Sequence, residues 1–495
     1  MSLSLTGFQS SRPVTAAGSL SRESAFAFFA AAAIFAAVLW LPVILRDPDT
    51  LWHITTGEWI LSHHAVPALD TFSYTAAGKP WMAHEWLSEV VLALAYGWSG
   101  WNGVMILTAA AAAATIGLVA FYVSLRARMD FAVMLVLLAI ACGGPSLLSR
   151  PHLIALPLVA LWTIGLVAAR ARGAAPSLLF LPIMTLWANL HGGFLIGLVL
   201  AAAFGTEAFF DPACVRRDVV RRWGLFIGGA VVAAAITPMG IDTLLFPFRL
   251  MSMQNLYQIQ EWKPTDFSHL NGITVSVLVA LYVGLTGSLK LPKFRVLLVA
   301  GLLFSTMQHV RNVQLFGILV PLLIADSLGQ AAPMELPLKF KVPQWVPMWL
   351  AGLAAVLSLA FRTGLPLQRI DEGGFASAAL ASVSADLRAK PVLNEYGFGG
   401  LLIFEGIKPF IDGRADLYGD AFLDTYLSIV HSKGDLLDGV LCKYGVEWTM
   451  FGPDTVVPAL MDRTPGWHRI YSDKVAVIHV RDDQSAKPVC PAPAP

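Results

Sequence analysis

Asp47 and Asp49 stand one residue apart in the stretch RDPDTLWHITTGEWI, and His53 follows one helical turn later. A carboxylate at a half-desolvated interface gains basicity and can take a proton from a hydroxyl. Asp49 is the candidate base and Asp47 its helper. A second acid, Glu85, adjoins His84 in WMAHEWL, with Asp70 in reserve. Arginine and histidine bind phosphate and stabilise it as it departs. Such groups recur as Arg150 and His152 in SRPH, Asn189 and His191 in NLHGG, and His309, Arg311 and Asn312 in QHVRN. Glu261 lies in QEWKP, and Asp412 and Arg414 in FIDGRADLYG. Acids, phosphate binders and apolar walls for a lipid tail together suit transfer of a sugar from a lipid-linked phosphate to an acceptor.

Each residue also has a plainer reading. Asp49 is well placed to cap a helix, or to hold a metal with Asp47, since Asp-x-Asp is a spacing soluble glycosyltransferases use for magnesium or manganese. Pro48 favours an extended Asp47, so the two carboxylates need not converge. His53 shares a helix face with Asp49 and either orients it, touches phosphate, or simply lies in the interface. His84 and Glu85 point to different faces of a helix. Arg150 is a phosphate ligand or a headgroup anchor. Asn189 and His191 bind substrate or seal a tight helix contact beside Gly192 and Gly193. Arg311 is the preferred phosphate ligand. Asp412 and Arg414 form a surface turn with its own salt bridge, or part of a lid over the site.

The elements that must position these groups are mostly apolar. The 495 residues are 56% hydrophobic and 14% charged, against about 25% charged in soluble domains. This composition indicates a polytopic membrane protein and argues against a nucleic-acid partner. The first apolar run lacks a cleavage site and should stay as an anchor. Runs able to cross about 30 Å of hydrocarbon fall near residues 25–45, 101–125, 130–148, 152–169, 177–189, 192–210, 223–238, 271–288, 294–308, 312–328 and 345–361. With residue 1 in the cytosol, the inner loops hold fifteen basic residues and the outer loops of the membrane part seven, as the positive-inside rule requires. The candidate residues then all fall on the outer side.

The expected organisation is a cytoplasmic tail over 1–24, a transmembrane domain over 25–362, and an α/β domain over 363–486 outside the cytosol. A Pro/Ala tail over 487–495 should be disordered. The first outer loop, 46–100, should hold two interfacial helices, with Trp52, Trp59, Trp81 and Trp86 at headgroup level. In the α/β domain, strands are expected near 391–394, 400–405, 408–412, 446–451, 467–472 and 474–480. Helices are expected near 376–388, 420–432, 434–443 and 454–462. The cysteines at 142, 214, 442 and 490 have no metal-type spacing. Cys442 and Cys490 can pair if their domain lies outside the cytosol.

The run of DTLWHITTGEWI, DTFSYTAAGKPWMAHEWLSE, RPHL, LWANLHGGFLIGL, TPMG, EWKPTDF, RNVQLF and FIDGRADLYG resembles a bacterial branch of the GT-C superfamily of membrane glycosyltransferases, of the lipopolysaccharide-core galacturonosyltransferase type. The resemblance covers nearly the whole chain. It implies a GT-C-like fold in the bacterial inner membrane, a polyprenyl-phosphate sugar donor, and a glycan, lipid or protein acceptor in the envelope. It makes Asp49 the catalytic acid of the first outer loop. Two positions depart from the pattern: many relatives have Asp-Glu where this chain has Asp49-Thr50, and a His-Pro-Pro or Lys-Pro-Pro turn where it has His84-Glu85-Trp86. Rival readings are a transporter or flippase of a lipid-linked substrate, which would need acids deep within spans and broken helices, and a non-catalytic envelope-assembly subunit.

Overall fold

The computed structural model describes residues 21–285, 291–329, 345–365, 367, 369–431 and 434–482. Most of the N-terminal tail over 1–24, Lys290, Lys339, Lys341, Cys490 and the Pro/Ala tail lie outside the described residues.

Among the described residues, thirteen helices form the membrane part: α1 (Arg22–Val38), α2 (Asp49–His63), α3 (Trp86–Arg126), α4 (Met129–Gly143), α5 (Pro151–Ala171), α6 (Leu181–Leu190), α7 (Phe194–Phe209), α8 (Arg216–Ala234), α9 (Asp242–Met251), α10 (Gly272–Leu285), α11 (Lys293–Gln308), α12 (Val313–Leu328) and α13 (Trp345–Gly364). A helix therefore stands at each of the eleven stretches expected to span; α2 and α9 are the additions. Among the described residues, five helices are long and apolar enough to cross a membrane, around α3, α4, α5, α12 and α13. Three more, around α6, α7 and α10, are apolar but shorter. The chain is an integral membrane protein on this evidence.

The second interfacial helix of the first loop is not separate from the span that follows. α3 runs through both, broken at Ser99 and Gly100, where Gly100 takes φ 55°. That left-handed turn needs glycine, and it lets Trp86–Trp98 swing away from the span to lie along α2. The crossing is close: a Cβ on Gly57 would overlap the carbonyl of Glu89. Far from this end, Arg170, Glu207, Arg295 and Asp326 pair in sequence across α5, α7, α11 and α12, with Arg170–Glu207 at 3.2 Å and Arg295–Glu207 at 3.3 Å. These charges stay within the apolar bundle because each is matched.

The tail is α/β. Its helices are α14 (Ser377–Ala381), α15 (Ala385–Arg388), α16 (Gly399–Phe404), α17 (Ala415–Tyr418), α18 (Asp420–Val430), α19 (Gly434–Lys443) and α20 (Val456–Met461). Its strands are β1 (Val392–Asn394), β2 (Trp448–Phe451), β3 (Trp467–Ser472) and β4 (Val477–Arg481), in the order β1-β2-β4-β3 with only β1 and β2 parallel. Two expected strands are absent. Residues 400–405 form α16, because GGLLIFE is a short apolar run that suits either state. Residues 408–412 join no ladder; Asn394 ties them to β1, accepting from the Phe410 N–H at 2.8 Å and donating to the Ile411 carbonyl at 2.8 Å. The helix expected over 376–388 divides into α14 and α15.

The tail shares its core with the first loop. Trp52, Ala76, Trp81 and Ala83 pack with Phe410, Ile411 and Leu417, and Leu51 packs with Phe398 and Leu401. Trp52 and Trp81 are thus buried at this junction and are not headgroup anchors, a correction to the expectation from sequence. Each fully buried large apolar side chain here contributes about 1.5–3 kcal/mol.

Candidate functional site

Asp49 opens the first turn of α2, and Asp47 lies two residues before it. Asp47 Oδ1 accepts the N–H of Asp49 at 2.8 Å, so Asp47 does the capping and Asp49 is the first helical residue. Both carboxylates converge, contrary to the extended reading of Asp47, because Arg150 draws them together. The guanidinium of Arg150, just before α5, meets Asp47 through Nε, Asp49 through Nη2 at 2.9 Å, and Glu261 through Nη1. Trp52 Nε1–H donates to Asp49 Oδ1 at 3.2 Å. Burial pushes the Asp49 carboxyl up to about 6, against the pull of Arg150 and helped by the nearby Asp47 charge. Burial opposes the charge on Arg150, but Asp47 and Asp49 outweigh it and hold the guanidinium more firmly protonated than usual.

A second cluster surrounds Glu85 at the head of α3. His191 Nε2 lies 3.3 Å, His84 Nε2 3.7 Å and His53 Nε2 3.8 Å from its carboxyl oxygens. The far side of His53 meets Glu89 at 3.3 Å. Burial raises Glu85 to about 8 although Arg311 and Arg150 pull it down. Burial lowers His84 to about 4 and takes His53 well below the ordinary histidine range. The ring of His152 lies 6.2 Å from that of His191.

Arg311 stacks on Trp262 with its guanidinium 4.6 Å from the ring centre. It is half-buried, and among the described residues no carboxylate lies within ion-pair distance and no hydrogen bond engages it. The charge of Glu85 reaches it, as its own reaches Glu85. An apolar groove of about 840 Å³ runs between α6, α8 and the start of α3, lined by Leu181, Leu186, Val232 and Ile236, and by Trp86 and Asn189 at the Glu85 end.

Other candidates are engaged within the fold. The Asn189 amide donates to the Thr185 and Ile236 carbonyls and accepts from Trp86 Nε1–H, which matches its packing role. His309 Nδ1–H donates to the Trp262 carbonyl at 2.8 Å, and Asn312 donates to Ser305. His152 turns one ring nitrogen to the Ser146 carbonyl at 3.4 Å. Arg414 is 1% exposed and directs Nε and Nη2 to Asp412, and Nη1 to Asp70 at 2.7 Å, with Trp81 against its face. Asp70, the reserve acid, also accepts from Ser73, so it is a structural carboxylate.

The tail roofs the site. Gly413 lies so close to Asp49 that a Cβ would overlap its Oδ1, and one on Gly400 would overlap the Pro48 carbonyl. Tyr396 donates to the Gly413 carbonyl at 3.1 Å, and its own proton is held more tightly by burial and by the Asp49 charge. Burial raises Asp416 to about 6, and its charge is felt at Glu85. Asp416 stands with Asp412 and Arg414 in FIDGRADLYG, whereas Tyr396 and Glu89 were not singled out from sequence, where nothing marks them.

The donors do not suit a divalent cation. No group of three or more His, Cys, Asp or Glu among the described residues has ligating geometry, and Asp47 and Asp49 both turn onto Arg150.

No family model matches the sequence, and no curated protein matches it. Among solved structures, the fold is similar to ArnT from Cupriavidus metallidurans, crystallised bound to undecaprenyl phosphate, with 13% identity over 93% of this chain and 98% of that one and a TM-score of 0.47. A likeness at that level carries no functional weight, so the reading below stands on the residues.

Proposed function

We propose that the chain is an integral membrane glycosyltransferase. It moves a sugar from a polyprenyl-phosphate donor to a hydroxyl on an envelope glycan, lipid or protein, at the outer face of the bacterial inner membrane. The observation that carries this reading is Arg311: among the described residues it has no carboxylate partner, it stacks on Trp262, and its charge reaches Glu85, whose chain neighbour Trp86 lines the apolar groove. An unmatched half-buried guanidinium is costly unless an anion comes to it, and an arginine fork suits phosphate. The groove suits the lipid tail of that same donor. We take the span count as eleven and the N-terminus as cytosolic, which the basic residues of the inner loops support; the tail and the site then face the periplasm.

In this reading Asp49 takes the proton of the acceptor hydroxyl. The acceptor oxygen attacks the anomeric carbon, the bond from that carbon to the phosphate oxygen breaks with inversion, and the electron pair leaves with the phosphate. Arg311 stabilises the leaving charge. Arg150 fixes Asp49 and lowers the cost of its ionisation. Glu85, protonated below about pH 8, presents a hydrogen-bond donor to the phosphate.

The test compares envelope glycans and lipids, by mass spectrometry, among cells with the wild-type chain, without it, and with Asp49→Asn. Loss of one sugar from the same product in the last two supports the proposal. Unchanged product with folded Asp49→Asn protein removes Asp49 as the base.

A further inference from the structure

The interface of α2 with the first part of α3 buries three ionisable side chains in a row. Glu85 and Glu89 are one turn apart, at the head of α3, and His53 of α2 sits between them. His53 Nδ1 is 3.3 Å from Glu89 Oε1, and its Nε2 is 3.8 Å from Glu85 Oε2. Glu89 is 1% exposed, and its other oxygen, Oε2, has no hydrogen-bond partner. His53 is therefore the one side chain hydrogen-bonded to this carboxyl among the described residues.

Hydrogen-bond logic assigns the neighbouring protons. The Gly193 N–H donates to His191 Nδ1 at 2.9 Å, which leaves the ring proton on Nε2, facing Glu85 Oε1 at 3.3 Å. His84 turns Nδ1 to the Met82 carbonyl at 3.4 Å, so its Nε2 lone pair faces Glu85. Glu85 Oε1 thus accepts from His191, and of the three histidines around this carboxyl it is His53 that faces Oε2.

We propose that Glu89 is a positioning residue: it accepts the Nδ1 proton of His53 and so turns the His53 Nε2 lone pair onto Glu85, as the acceptor of that acid's proton. The arrangement follows the logic by which a buried carboxylate fixes the tautomer of a general-base histidine. The step moves one proton from Glu85 Oε2 to His53 Nε2, giving an imidazolium between two carboxylates, and the return of that proton restores the neutral acid and the neutral ring. Burial first, and then Arg150, His84, His152 and Arg414, disfavour positive charge on His53, and Glu89 is the carboxyl within hydrogen-bond distance of its ring. Arg311, Arg150, Asp416 and Asp49 act on Glu85 from the facing elements. The use of Glu85 on a departing phosphate rests on the proposed activity, whereas the proton arrangement does not.

The test is an infrared pH titration of the protonated carboxyl band in the purified full-length protein in lipid nanodiscs. A band titrating near pH 8 should be absent in Glu85→Gln. Glu89→Gln keeps the shape and removes the carboxylate that the proposal requires; it should lower the midpoint by about one pH unit, and Glu89→Asp, which keeps a carboxyl, should hold it near wild type. In a His53→Gln background, Glu89→Gln should no longer move the midpoint, since coupling through a shared partner is lost. No shift on Glu89→Gln, or an equal shift in both backgrounds, overturns the proposal. The titration needs no donor, so the coupled shift in a protein that transfers no sugar counts against the proposed activity alone.

Discussion

Arg414 of the tail donates to Asp70 of the first loop at 2.7 Å, across 344 residues of sequence. Asp412 fills the rest of its fork, and Tyr418 donates in turn to Asp412 at 2.7 Å. This buried ion cluster, with the shared apolar core around Trp52 and Trp81, fixes where the tail sits over Asp49.

Replacing Arg414 by Ala leaves two buried carboxylates unmatched, and should cost about 3–5 kcal/mol. The loss should appear as a lower unfolding temperature and as faster proteolytic release of the tail. Arg414→Lys should recover little, since one ammonium cannot reproduce the fork.

Gly413→Ala should lower activity at least tenfold while leaving the bundle intact. The added Cβ would overlap Asp49 Oδ1, and relief requires lifting the tail or turning the carboxylate, at about 1–3 kcal/mol. Steady-state transfer, read beside the unfolding temperature, separates the two effects.

Arg311→Gln should weaken binding of polyprenyl phosphate about 10- to 100-fold, the worth of a hydrogen bond to a charged group. Binding to the purified protein measures it. Arg311→Lys should restore part of the affinity, because it returns the charge but not the flat stack on Trp262.

Activity should follow a bell-shaped pH profile. Asp49 must be ionised to act as base, so the rate should rise as pH climbs through about 6. Glu85 keeps its proton up to about 8; above that a second anion faces the leaving phosphate, and the rate should fall. Glu85→Gln should flatten the alkaline limb and spare the acidic one.

Much of this was legible in the sequence. Each long apolar run became a helix, and Asp49, His53, Glu85, Arg150, His191 and Arg311 are gathered at one end of the bundle. One of the two readings of FIDGRADLYG was a surface turn with its own salt bridge; Asp412 and Arg414 do pair, but both are buried. The second partner of Arg414 was not foreseen, because nothing local marks Asp70 as the far end of a 344-residue contact. Glu89 escaped notice for the opposite reason: one acid in the helix LSEVVLALAY looks like a wet face, and only the crossing of α2 buries it. The GGLLIFE run was misread as a strand because six apolar residues do not reveal their own period.

Asp49 is made early and Gly413 late, so the roof over the acid is the last part of the site to be synthesised. A chain still being inserted, or one stopped before about residue 390, has its bundle and its acids but no cover. The order of translation itself keeps a half-made protein from assembling this site, and only the finished chain can close it.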